Sequence, residues 1–140
     1  MADIIFMDKR HEDLFYSYFK AMKTHDCYHG SAAYLLALDE VIRDHTKSVF
    51  DFKEDIIKPE CISEPWQTGT SKKTTRLLFN LWNGKYKDSI PERFYDDEAE
   101  EEAEKQAAYS SQYYAVDNIF CCSYAPYYMQ AVKLRYPKYF

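Results

Sequence analysis

The sequence predicts an all-α protein, a single irregular bundle of about five helices forming one helical domain over residues 1–140. Three observations predict it. Apolar residues recur at helical spacing, as in Leu14, Phe15, Tyr18, Phe19 and Met22. Only 3 glycines and 5 prolines are present, too few for a turn-dense all-β fold. With 46% hydrophobic and 18% aromatic residues, a chain of this length has material for one real core.

Each element has its own signals. Asp8 is placed to cap a first helix that runs to about Met22. After the polar break Lys23-Thr24-His25-Asp26, a second helix is expected from about Tyr28 to His45, burying Ala32, Leu35, Leu36, Leu38, Val41 and Ile42. Thr46 to Pro65 reads as an irregular connection pegged to the core by Val49, Phe50, Phe52, Ile56 and Ile57, with Pro59 and Pro65 arguing against helix. A third helix is expected from Ser71, whose hydroxyl would cap it after a Thr68-Gly69-Thr70 turn, to about Asn83, with Gly84 as terminator. Leu77, Leu78, Leu81 and Trp82 share its apolar face. Lys85 to Pro91 is a loop. A fourth helix starts near Pro91 or Asp96 and continues past a kink near Ser110-Ser111, with Tyr109, Tyr113, Val116 and Phe120 in helical register. A last helix starts near Ser123, holds Pro126 in its first turn and stops before Pro137. Ile4 to Met7 is the one strand candidate.

The net charge of −5 is unevenly spread. Asp96, Asp97, Glu98, Glu100, Glu101, Glu102 and Glu104 place seven acids in nine residues, an acidic helical segment at about 96–104. Without those seven charges the chain carries +2, so its body is mildly basic and its acidity local. Acids early in a helix suit its dipole. The segment is either a solvated helix or a contact for a basic partner, copying the charge spacing of a nucleic-acid backbone.

The stretch Pro65 to Gly84, PWQTGTSKKTTRLLFNLWNG, carries the chief binding signal. Lys72, Lys73 and Arg76 crowd the first turns of a helix, where cations are locally unfavourable. Gly69, Thr70, Ser71, Lys72, Lys73 and Arg76 therefore form a candidate anion site, unless the acidic segment lies across them and satisfies them. The Walker A spacing is absent, which disfavours nucleotide hydrolysis. Asn80, Asn83, Trp66 and Gln67 lie beside it as groups able to contact bases or a protein. Arg135, Lys133 and Lys138 add a small second basic area, too little for strong duplex binding.

Other chemistries find little support. His25, Cys27 and His29 fall at i, i+2, i+4, a spacing that a helix does not converge on one metal, and no HExxH frame surrounds His11. Four cysteines without a CxxC fit reduced thiols, and Cys121-Cys122 in a Tyr-rich stretch read as inert and buried. No catalytic residue, metal site or cofactor is assigned. The longest apolar run, Ala32 to Leu38, is far short of a membrane span, and a start as charged as MADIIFMDKRHED carries no signal peptide. A cytoplasmic protein without membrane contact is expected. The 14 tyrosines supply interface material, with Tyr124, Tyr127 and Tyr128 expected on one face of the last helix.

WQTG with the basic helix and LFNLWNG behind it, YLLALDEVIRDH, IKPE, YAPYY and LRYP together resemble a family of small bacterial proteins of unknown function, often encoded near phage or other mobile elements. The resemblance covers most of the chain outside the acidic segment. It implies a setting and no chemistry. The expected function is a non-enzymatic, protein-binding modulator from a bacterial mobile element, in concrete form an inhibitor of a host nucleic-acid-directed defence enzyme. Its partner would meet Asp96, Asp97, Glu98, Glu100, Glu101, Glu102, Tyr124, Tyr127 and Tyr128. The alternative is a small phosphate-, nucleotide- or nucleic-acid-binding protein centred on residues 69–76, and a third is a subunit of a homo-oligomeric assembly.

Overall fold

The computed structural model describes residues 3–90 and 96–140, and these are mostly helical. The first helix, α1 (Lys9–Ala21), starts as expected because the Asp8 carboxylate accepts the His11 N–H at 2.8 Å. α2 (Cys27–Leu38) is capped in the same way by Asp26, through the His29 N–H at 2.9 Å. Every residue from His29 to Leu38 is buried, so α2 has no polar face and forms the central element. It packs against α1 and against two later helices, α5 (Gly69–Asn83) and α8 (Ala125–Arg135).

The expected long second helix is broken at Asp39. This buried carboxylate accepts the N–H groups of Val41 (2.9 Å) and Ile42 (3.2 Å) and starts a new turn, α3 (Glu40–Arg43). Arg43 folds back so that its Nε donates to the Ala37 carbonyl at 2.7 Å, satisfying the end of α2. Asp39 Oδ2 also accepts from the Thr74 hydroxyl, which meets the Tyr128 hydroxyl at 2.6 Å. One buried relay thereby joins α2, α5 and α8.

The connection after α3 is more regular than expected. It contains α4 (Thr46–Val49), a two-residue hairpin of β1 (Phe50–Asp51) and β2 (Ile56–Ile57), and a 3-10 turn at Pro59–Ser63. The strands pair antiparallel, Phe50 with Ile57 and Asp51 with Ile56. Asp51 caps the turn through the N–H groups of Lys53 and Glu54, and Asp55 closes it at φ 61°, a region that Asp tolerates. Ile4 to Met7 forms no strand; it is held by side chains instead. Tyr34 Oη donates to the Ile5 carbonyl at 2.7 Å, and the Met7 N–H donates to His11 Nδ1. Each such bond uses a single backbone group, so no ladder forms.

α5 begins two residues earlier than expected. Thr68, not Ser71, is the cap: the two exchange a reciprocal pair of bonds, the Ser71 N–H on Thr68 Oγ1 at 3.0 Å and the Thr68 N–H on Ser71 Oγ at 2.7 Å. Gly84 ends the helix at φ 76°, as expected of a left-handed C-terminal residue. α6 (Asp97–Tyr109) is capped by Asp96; Pro91, the other expected start, lies outside the described residues. The expected kink is a 3-10 turn at Ser110–Tyr114, followed by α7 (Val116–Ile119) and α8 with Pro126 in its first turn. Among the described residues no helix is long and apolar enough to cross a membrane.

Candidate functional site

Gly69, Lys72, Lys73 and Arg76 sit at i, i+3, i+4 and i+7, so they share one face of α5 while Thr74, Leu77, Leu78 and Leu81 turn inward. That basic face lines a cavity of about 350 Å³, whose far wall is Tyr113 from the 3-10 turn and Asn118 from α7.

The three cations are held differently. Arg76 forms a bidentate pair with Asp88, Nε to Oδ1 at 3.1 Å and Nη2 to Oδ2 at 2.8 Å. Its guanidinium lies 4.9 Å from the centre of the Tyr113 ring. Asp88 is itself fixed, because its N–H donates to Ser110 Oγ and its Oδ1 accepts from Tyr114 Oη at 2.9 Å. Burial, and then the charge of Asp88, push the Tyr114 hydroxyl well above its ordinary value, so it stays a donor. Lys73 Nζ donates to the Asn118 carbonyl. Among the described residues no carboxylate pairs with Lys72 or Lys73. The first turn of α5 holds no acid to offset them. Among the described residues the cavity therefore holds two positive charges with no paired carboxylate, at the positive end of a helix dipole, an arrangement that a negatively charged group relieves.

Of the six residues expected at an anion site, four line this cavity. Ser71 does not: it is fully buried, and its hydroxyl donates to Gln67 Oε1 at 2.6 Å. Thr70 is exposed beside the cavity rather than in its wall. Tyr113, Asn118 and Asp88 were missed, since they stand 37 to 45 and 12 residues from the basic helix and meet it only through the fold. Aromatic spacing placed Tyr113 on a helical face but gave no sign of which neighbour that face met.

The acidic segment does not lie across these cations. All seven acids of 96–104 are exposed, and their one ion pair among the described residues is within α6, Lys105 to Glu101 at 3.5 Å. Of the expected tyrosine surface, Tyr124 and Tyr127 are half-buried, whereas Tyr128 is fully buried on the Thr74 hydroxyl and belongs to the core.

The remaining candidates are committed to structure. His29 sits between two carboxylates, Nδ1 to Asp26 at 2.6 Å and Nε2 to Asp55 at 2.9 Å, while His25 packs on Phe19. Among the described residues no cluster of three metal-ligating side chains occurs. Asn80 and Asn83 hold the turn after α5 through Lys85, and Gln67 donates to Thr75. Trp66 stacks on His45 at 4.3 Å. Arg135 donates to the Leu81 carbonyl and lies 3.6 Å from the Tyr28 ring centre, which makes it a packing residue. Burial pushes the Cys61 thiol up to about 12, but Cys121 is exposed, not buried as expected, because it falls in the turn between α7 and α8. A larger cleft, about 560 Å³, lies between α1 and the α3–α4 corner beside Tyr18, Ala21, His45 and Phe52. Its lining is mixed: Asp44, His45 and Lys47 stand beside Tyr18, Ala21 and Phe52, and Arg43 is spent on α2, so charges of one sign do not converge there as they do beside α5.

Fold and site thus define a small helical protein with a basic pocket beside α5 and an exposed acidic helix, α6. A family model described as a family of unknown function (DUF6075) matches residues 1–140, and the chain belongs to that family. No curated protein and no solved structure matches the chain.

Proposed function

We propose that the protein acts by binding, and that the cavity beside α5 takes a phosphate-bearing ligand. The convergence of Gly69, Lys72, Lys73 and Arg76 on one cavity carries this reading. The lysines supply charge without a geometric demand, and Asp88 holds Arg76 rigid at the edge. Among the described residues no hydroxyl or thiol nucleophile with an adjacent base lines the cavity, which favours binding over turnover. The test is stabilisation by inorganic pyrophosphate. At about 100 times its dissociation constant it should add about 2.7 kcal/mol to unfolding, and the double substitution Lys72→Ala, Lys73→Ala should abolish the gain. No gain in the wild type at millimolar pyrophosphate would sink the reading.

A second reading rests on α6. Its acids are exposed and, among the described residues, make one ion pair, Glu101 with Lys105, which favours a basic protein partner. With the mobile-element setting that the sequence motifs suggest, this is a cytoplasmic modulator, in concrete form an inhibitor of a host nucleic-acid-directed defence enzyme. Changing Asp96, Asp97, Glu98, Glu100, Glu101 and Glu102 to Ala should then release a partner captured from bacterial lysate. Retention of that partner would refute the charge-mimic form.

A further inference from the structure

We propose that the ligand of the α5 cavity is a mononucleotide, with its phosphate at Lys72 and Lys73 and its base against Tyr113. This deepens the phosphate-binding reading and rests on it. Asp88 occupies the Nε–Nη2 edge of Arg76, the edge that would otherwise clamp a phosphate. The phosphate therefore falls to the lysines. Lys73 has three donors and spends one on the Asn118 carbonyl, leaving two.

What Arg76 offers instead is support. Locked by Asp88, its guanidinium backs the Tyr113 ring at 4.9 Å. Tyr113 lines the cavity and still exposes 38% of its surface, and Tyr109, 67% exposed, stands edge-on to it at 6.2 Å. A cationic cavity that opens onto a braced, exposed aromatic ring matches what a nucleotide presents, an anion joined to a flat π-face. Burying that ring against a base removes apolar surface that the protein alone leaves in water.

Two observations limit the ligand to one nucleotide. The cavity, at about 350 Å³, lies at the low end of ligand-site volumes. Beyond Tyr109 the chain runs back into α6, whose acids repel any strand continuing that way.

The experiment is calorimetric titration of the whole protein with ribose 5-phosphate, adenosine monophosphate and a twelve-residue oligodeoxyadenylate. Adenosine monophosphate should bind at least about fivefold tighter than ribose 5-phosphate, the factor that the low end of base–aromatic stacking supplies. Tyr113→Leu should bring that ratio to about one and leave ribose 5-phosphate binding unchanged, whereas Lys72→Ala should weaken both ligands alike. Equal wild-type affinities would overturn the nucleotide assignment and leave the phosphate pocket standing. Ribose 5-phosphate and adenosine monophosphate both failing to bind would overturn both. An oligonucleotide bound much more tightly than the monophosphate would overturn the single-nucleotide limit and indicate a strand.

Discussion

α2 and α6 are nearly equal in length and begin alike, each with an aspartate that accepts the N–H three residues on. There the likeness ends. α2 buries every residue from His29 to Leu38, while α6 buries Ala107 and leaves its acids in water. Capping and propensity make a helix in both cases. Only in α2 does the surrounding protein depend on it, through contacts with α1, α5 and α8. The comparison separates where the molecule keeps its stability from where it keeps its charge, and substitutions in the two helices should differ accordingly.

The largest effect belongs to the centre of α2. Leu36 is fully buried, so Leu36→Ala should destabilise the protein by about 2–5 kcal/mol, read from the urea midpoint at constant slope. A loss below about 1 kcal/mol would break the contrast, since it would mean that α2 relaxes like a surface helix.

The relay at the end of α2 comes next. Asp39→Ala leaves the Val41 and Ile42 N–H groups and the Thr74 hydroxyl without their acceptor, and should cost about 1–3 kcal/mol. Burial pushes the Asp39 carboxyl above its ordinary value, against the hydrogen bonds it accepts. The folded chain then holds the extra proton between the ordinary and raised values, so this group lowers stability as pH rises through that window. His11 acts in the opposite sense. Burial lowers its imidazole, the unfolded chain holds the extra proton, and stability rises with pH from that lowered value to about 6.5. Asp39→Asn keeps an acceptor and removes the charge, so its stability–pH curve should keep only the rising component. A curve parallel to the wild type would place the titration elsewhere.

His29 marks the border between the two regimes. It is buried with α2, yet it bridges the partly exposed Asp26 to Asp55 of the hairpin turn. Each ring nitrogen faces a carboxylate oxygen, so the one imidazole ties both acids together. His29→Gln removes one of the two links and should cost about 1–2 kcal/mol, with faster hydrogen exchange in residues 50–57 than in α2. Uniform loss of protection would show that the bridge serves the core and not the hairpin.

What the sequence revealed follows the same division. Caps and terminators are local, so Asp8, Gly84 and the all-α class could be read directly. The break at Asp39 could not, because a carboxylate inside an apolar run looks like one polar position in a longer helix until Thr74 and Arg43 are brought to it. Thr68 and Ser71 form a reciprocal capping pair, and choosing the second as the cap shifted the helix start by two residues. At the basic site the cations were legible from their spacing, while Asp88, Tyr113 and Asn118 arrive from a loop and two later turns. Tyr128 misled for a related reason: its ring has the composition of an interface residue, and only the Thr74 hydroxyl shows why its polar tip stays inside.

The smallest stability effect should come from the densest charge. Among the described residues, changing Glu98, Glu100, Glu101 and Glu102 to Gln removes a single weak ion pair, Glu101 to Lys105, between side chains that are both 69% exposed. Glu98 and Glu100 also lose their favourable place in the first turn of α6, while the repulsion among neighbouring acids is relieved. These small terms oppose each other, and the net change should fall within about 0.5 kcal/mol. The same substitution removes four of the seven negative charges that a basic partner would meet. Thermal unfolding unchanged while partner capture collapses would show that α6 is kept for what it presents. A clear loss of stability would show instead that its acids hold the fold, and would end the contrast with α2.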